Sequence, residues 1–215
     1  RWYRSTAPGP TWRAAAGPAK SPTRKSATLP SEAILARLRA LHPRVIDLSL
    51  GRIERLLAAL GNPERTLSNI VHVAGTNGKG SVVAMTGAIC RAAGLAVHSY
   101  TSPHLVRFNE RISVAGAPID DRLLADTLAE CETVNRGNPI TFFEITTAAA
   151  YLAFARTPAD VVLVETGLGG RLDATNLFPA PAVTAITPVS RDHVQFLGDN
   201  IGAIAAEKAG ILKAG

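Results

Sequence analysis

Apolar positions along the chain fall into two regimes. Ile34, Leu35, Leu38 and Leu41 share one face of a helix opened by Pro30-Ser31. Ile53, Leu56, Leu57 and Leu60 mark a second helix over about 50–60, which Gly61 ends and Pro63 follows. Beyond it, short β-branched runs alternate with helical segments. The spacing predicts a strand at Ile70–Ala74, a glycine-rich turn, and a helix over 79–93 capped by Gly94. A strand at Leu95–Tyr100 follows, and Arg111–Val114 with the Ala115-Gly116 turn reads as part of a hairpin. Helices are expected over 120–135, 143–156 and 200–212. Val161–Glu165 and Val183–Thr187 have the Val/Ile density of buried strands in a parallel sheet. Alternating βαβ units predict an α/β fold: an open, mostly parallel sheet with helices on both faces. No internal repeat is visible.

At 47% hydrophobic and 19% charged, the 215 residues can bury a core, and wholesale disorder is excluded. No uncharged apolar run approaches the roughly 18–20 residues of a membrane span, so no membrane association is expected. The net charge of +6 suggests a nucleic-acid partner until it is located. Residues 1–30 hold Arg1, Arg4, Arg13, Lys20, Arg24 and Lys25 and no acid, which accounts for all of it. The remainder is neutral, so the argument for nucleic-acid binding fails. Residues 1–30 read as a disordered basic tail; an organelle transit peptide is the other reading of an arginine-rich, acid-free start. Cys90 and Cys131 have no CxxC partner and sit in helical segments. They read as core fillers in a reducing, cytoplasmic protein, without disulfide or zinc.

The most informative stretch is Val71-His72-Val73-Ala74-Gly75-Thr76-Asn77-Gly78-Lys79-Gly80-Ser81, a strand entering a glycine-dense turn that opens a helix. Such a turn lets backbone N–H groups converge on an anion, and the helix N-terminus adds partial positive charge. Lys79 supplies a cation for terminal phosphates, and the Ser81 hydroxyl can reach a phosphate oxygen or Mg²⁺. The strict P-loop spacing is not met. Val73 stands where the first glycine belongs, and Gly80 separates Lys79 from Ser81. A turn using glycine for geometry alone is the bland alternative; it leaves the lysine unexplained.

This variant, GTNGKGS, resembles the ATP site of the Mur ligase superfamily, and within it folylpolyglutamate synthase/dihydrofolate synthase. Further segments follow in that family's order. They are Ile46–Leu50, Thr101-Ser102-Pro103-His104-Leu105, Arg107–Ile112, Thr141-Phe142-Phe143-Glu144, Glu165–Asn176, Asp192-His193 with Leu197-Gly198, and Glu207–Ile211. The resemblance covers about 32–213.

The resemblance implies an ATP-dependent ligase adding L-glutamate to dihydropteroate or tetrahydrofolate through an acyl phosphate. It places ATP on Asn77, Gly78, Lys79, Gly80 and Ser81, and Mg²⁺ on Ser102, Glu165 and His193. It also implies catalytic roles for Lys79, His193 and a carbamylated Lys208. The pteroate or folate side falls to Asp47, Leu48, Ser49, Leu50, Thr141, Phe142, Phe143, Glu144 and Leu172. An apolar-aromatic stretch ending in one carboxylate suits a flat heterocycle, with Phe143 on a ring face and Glu144 accepting its N–H groups. Ser49 stands where the family usually has glycine, and Arg191 where it usually has an apolar residue; the latter has no account. A monomer is expected. So is a second, glutamate-binding domain beyond the ATP-binding segment 31–215, which would then stop short of its end.

Read singly, these residues have plainer roles. Glu165 could cap a helix or pair with an arginine, and His193 could be a structural histidine. Ser102 could be a turn residue, Lys208 a solvated surface charge and Phe142 helix core. Two other functions compete: a peptidoglycan Mur ligase, and a P-loop nucleotide-binding module without ligase chemistry. GKGS and the SPHL and FNERI segments argue against the first. Glu165 and His193, superfluous to a switch, argue against the second.

Overall fold

The computed structural model describes residues 29–41 and 48–213. The expected tail falls, over 1–28, outside the described residues, as does Asp47.

Helix α1 (Pro30–Leu41) and helix α2 (Gly51–Ala59) precede strand β1 (Ile70–Ala74) and helix α3 (Lys79–Ala92). Strand β2 (Val97–Tyr100) leads through a 3-10 turn (Phe108–Arg111) into strands β3 (Ile112–Val114) and β4 (Ala117–Pro118). Helices α4 (Asp121–Asn135) and α5 (Phe142–Ala155) follow, then strands β5 (Val161–Glu165) and β6 (Val183–Ile186). Helices α6 (Val194–Leu197) and α7 (Ile201–Ala209) end the described part. The six strands form one sheet in the order β4-β3-β2-β5-β1-β6. β2, β5, β1 and β6 run parallel, and β3 and β4 add antiparallel. The α/β architecture read from the pattern is the observed one.

Alternation along the strands explains why both faces carry helices. On β5, Val162 and Val164 belong to the large core that holds α1, α2, α4 and α5. Leu163, between them, joins Val73, Val83 and Val97 in a smaller core under α3. α5 is buried along nearly its whole length, from Glu144 to Phe154, because α2 and α4 pack on it while it covers the large core. A helix enclosed on every side has no polar stripe to give it away.

One expectation fails. The Val183–Thr187 run is not a buried strand: among the described residues β6 pairs only with β1, and Val183 and Ile186 are 53% and 40% exposed. Composition marks a strand as apolar, but its place at the edge of the sheet among the described residues follows from strand order. Among the described residues no helix is long and apolar enough to cross a membrane.

Candidate active site

Four parallel strands end on the same edge of the sheet, where open α/β sheets carry their ligands. β1 runs into the 75–78 turn, β2 into the Ser102 loop, β5 into the 166–176 loop, and β6 into the segment leading to His193. Motifs scattered over a hundred residues of sequence thereby converge.

The glycine turn is shaped by close contact. Gly75 has φ +144°, and a Cβ there would lie 1.8 Å from Thr187 Oγ1. No other residue fits between β1 and the end of β6. The Thr76 amide donates to the Pro188 carbonyl at 3.0 Å, and Thr76 Oγ1 donates to the Ser190 carbonyl at 3.1 Å. The turn is thus laced to the next crossover. Gly78 (φ +84°) precedes α3, leaving Asn77, Gly78, Gly80 and Ser81 exposed at the N-terminus of a 14-residue helix. Lys79 Nζ donates to the carbonyls of Gly75 (3.1 Å) and Thr76 (3.2 Å) and lies 4.0 Å from Glu165 Oε1.

Lys208, open to a surface reading in sequence, is 2% exposed. Its Nζ donates to the Gly75 carbonyl at 3.0 Å, the same oxygen that receives Lys79. Burial, with the Lys79 charge beside it, lowers its pKa. Two lysines 129 positions apart in sequence therefore share one carbonyl of the phosphate turn.

Ser102 and Glu165 are brought into contact: the Ser102 amide donates to Glu165 Oε2 at 3.2 Å. Burial raises the Glu165 pKa against the opposing effects of that amide and of Lys79. His193, in the left-handed region (φ +49°), is exposed, with Nε2 3.6 Å from Asp192 Oδ2. It lines the same cavity as Lys79 and Ser102. The donor set fits a hard divalent cation: a carboxylate left costly by burial, a hydroxyl and an imidazole. Among the described residues no cluster of three or more His, Cys, Asp or Glu offers a complete protein cage.

The cavity holds about 530 Å³. Lys79, Ser102 and His193 contribute to its wall along with Leu48, Ser49, Thr141, Phe142, Phe143, Glu144 and Leu172. Phe143 fits because Gly167 has no side chain: a Cβ there would lie 2.5 Å from its ring. Thr141 caps α5 through Oγ1, which accepts from the Glu144 amide, and the Glu144 carboxylate accepts from the Thr141 amide at 2.6 Å.

Glu144 does not present the free carboxylate expected for a heterocycle. Besides its cap, it is held by Arg52, whose Nε and Nη2 donate at 2.9–3.2 Å. Nor is Phe142 enclosed in helix core; it is half-buried, with the Arg39 guanidinium 5.0 Å over its ring.

Three cavity-side residues were not singled out in sequence. Arg52 locks Glu144. Asp173, fully buried, accepts from the Leu168 amide at 2.7 Å and the Thr175 amide at 3.0 Å, and burial raises its pKa. Arg111 lines the cavity, donates Nε to His104 Nδ1 at 2.8 Å, and has no acidic partner among the described residues. Arg111 and Asp173 lie inside the quoted motifs; their roles depend on neighbours from other strands.

A strand, a tight glycine turn, a helix N-terminus and a lysine at the turn define an α/β domain of P-loop type. Residues 73–214 match the family model for the Mur ligase middle domain, and the chain belongs to the Mur ligase family. Within it, a dihydrofolate synthase/folylpolyglutamate synthase of Bacillus subtilis is 47% identical over 174 residues, covering 77% of this chain and 40% of that protein. One of Mycobacterium tuberculosis is 46% identical over 180 residues, covering 78% and 37%. The structure of Escherichia coli FolC in complex with DHPP and ADP superposes with a TM-score of 0.82 at 39% identity, covering 86% of this chain and 44% of FolC. A bifunctional folylpolyglutamate synthase/dihydrofolate synthase with Mn, AMPPNP and L-glutamate bound gives 0.79 at 38% identity, covering 87% and 45%. This chain thus spans about two fifths of the length of the curated relatives it matches.

Proposed function

We propose that this chain forms the ATP- and pteroate-binding part of a ligase that joins L-glutamate to dihydropteroate or tetrahydrofolate. The observation that carries the reading is a single cavity bounded by the phosphate-turn lysine, by Ser102 and His193, and by an aromatic wall. An acid and a triphosphate can meet there. FolC binds DHPP and ADP on the same fold, which supports the assignment.

In the first step an oxygen of the substrate carboxylate attacks the γ-phosphorus and ADP leaves, giving an acyl phosphate. In the second, the glutamate amine attacks the acyl carbon and phosphate leaves, a proton being lost from nitrogen. Neither step needs covalent help from the protein; both need charge neutralised and atoms held in line. The exposed amides at the start of α3 and the third N–H of Lys79 face that task. Ser102, Glu165 and His193 would hold Mg²⁺, whose chemistry is to neutralise the triphosphate. Phe143 and Leu172 supply apolar wall, with Leu48 and Ser49 completing it. Arg111 stands ready for a substrate carboxylate.

Lys208 enters as the carbamylation site. Burial favours its neutral amine, the form that adds to carbon dioxide with loss of a proton. The free thiols of Cys90 and Cys131 support a reducing, cytoplasmic setting.

Replacing Lys79 tests the reading. A charge-assisted hydrogen bond contributes about 1.5–3 kcal/mol, so Lys79→Ala weakens binding of ADP and ATP to this chain roughly tenfold to hundredfold by calorimetry. Unchanged affinity overturns the assignment of the turn.

A further inference from the structure

Two arginines flank a pair of phenylalanines beside the cavity. Phe108 and Phe142 meet edge to face, with ring centroids 6.0 Å apart. The Arg39 guanidinium lies 5.0 Å over Phe142, and that of Arg111 lies 5.1 Å over Phe108. Phe142 and Arg111 both line the cavity.

Among the described residues neither charge has an acidic partner within hydrogen-bond or ion-pair distance. Arg37, two residues before Arg39 on α1, is bound by the Glu132 carboxylate, whereas Arg39 has no hydrogen-bond or ion-pair partner among the described residues. The Nε of Arg111 donates to the His104 imidazole, a neutral acceptor. Burial lowers the pKa of Arg111, and the Arg39 charge lowers it further. Aromatic faces compensate a guanidinium only in part. Arg39 is exposed and Arg111 partly buried, each over its own phenylalanine, and an anion that spans both would offset their repulsion.

Pteroate ends in one carboxylate, and one arginine is enough for it. Each glutamyl unit adds another. We propose that Arg39 and Arg111 form a dicarboxylate-binding edge of the cavity, which selects pteroyl substrates carrying a glutamyl tail over those ending in a single carboxylate. This rests on the folate reading above and refines it. Arg111 serves either substrate, and Arg39, supplied by α1 from outside the sheet, is the specificity-determining residue.

The test is calorimetric titration of the 215-residue chain with pteroate, pteroylglutamate and pteroyldiglutamate. Arg39→Ala lowers affinity for the two glutamylated ligands about threefold to tenfold, the scale of a partly exposed charge-assisted contact, and leaves pteroate unchanged. Added salt erases the difference between wild type and variant. Arg39→Lys, which keeps the charge, restores most of the loss.

Equal losses for all three ligands would make Arg39 a support for Phe142 and overturn the proposal, as would no loss at all. A further titration with γ-linked triglutamate, lacking the pterin, separates the two readings. Should wild type bind no pteroyl ligand, the folate reading fails. Salt-sensitive binding of triglutamate that Arg39→Ala weakens still supports the edge, and equal binding by both proteins sinks it.

Discussion

Arg52 and Glu144 are 92 positions apart, yet their ion pair holds the first turn of α5 against α2. Their side chains are 19% and 4% exposed, so the pair is mostly desolvated. Removing one member of such a pair leaves the other as an uncompensated buried charge. Arg52→Ala is therefore expected to cost about 3 kcal/mol, read as a lower denaturant midpoint with an unchanged slope. Arg52→Met, which restores bulk but no charge, stays near the alanine variant if the charge dominates; recovery to wild type would show that packing does. The Thr141-x-x-Glu144 capping box was legible, because it spans three residues of one helix start. That Glu144 also answers to Arg52 was not, since pairing across 92 residues follows from the packing of α2 on α5.

At the scale of elements, the sheet is tied together by two buried histidines. His72 on β1 is 1% exposed, and its Nε2 lies 2.9 Å from Thr175 Oγ1. Burial, aided by the Lys213 charge, lowers its pKa to about 4. His98 on β2 is also buried; its Nδ1 accepts from the Ala115 amide at 3.0 Å, and its Nε2 donates to the Thr157 carbonyl at 2.9 Å. Burial lowers its pKa as well. Groups depressed in the folded state stabilise fully above the unfolded value near 6.5, and the benefit is lost as pH falls toward the folded value. His72 alone should then remove about 3 kcal/mol between neutral pH and pH 4. Glu165 and Asp173, with raised values, oppose this trend, because acid relieves their buried charge. Chemical denaturation across that range checks the sign: stability falls, and falls less in His72→Gln. An equal fall in the variant would assign the loss elsewhere. β6 shows the limit of reading elements singly. Its valine and isoleucine mark it as a strand, while its exposed position comes from which strands border it.

For the whole molecule, the same carboxyl edge gathers the phosphate turn, Ser102, Glu165, Lys208 and the aromatic wall. The chain nevertheless spans only about two fifths of the relatives it matches. Met85 and Ile89 on α3 are 59% and 70% exposed, and the outer edge of β6 is open among the described residues. We expect Mg·ATP binding without turnover: with ATP, Mg²⁺, dihydropteroate or tetrahydrofolate, and labelled glutamate, this chain by itself incorporates no label. An acyl phosphate that water can reach is hydrolysed in competition with the amine. Incorporation above background would place a glutamate site within these residues.

Local order was determined by sequence alone. Ile70–Ala74 and Val161–Glu165 are strands because β-branched runs between turn residues favour extended backbone. α3 starts at Lys79 because a glycine turn precedes it, and their alternation makes the sheet parallel. The motif order of Gly75–Ser81, Ser102, Glu165 and His193 carried the family. What required tertiary structure was every role set by a distant neighbour. Lys208 is an ordinary helical lysine until α7 packs on the phosphate turn and delivers it to the Gly75 carbonyl. Asp173 and Arg111 became cavity residues, and Arg39 a guanidinium over Phe142, for the same reason. Hydrophobic period and turn chemistry act over a few residues, whereas desolvation and charge depend on what the folded chain brings within a few ångströms.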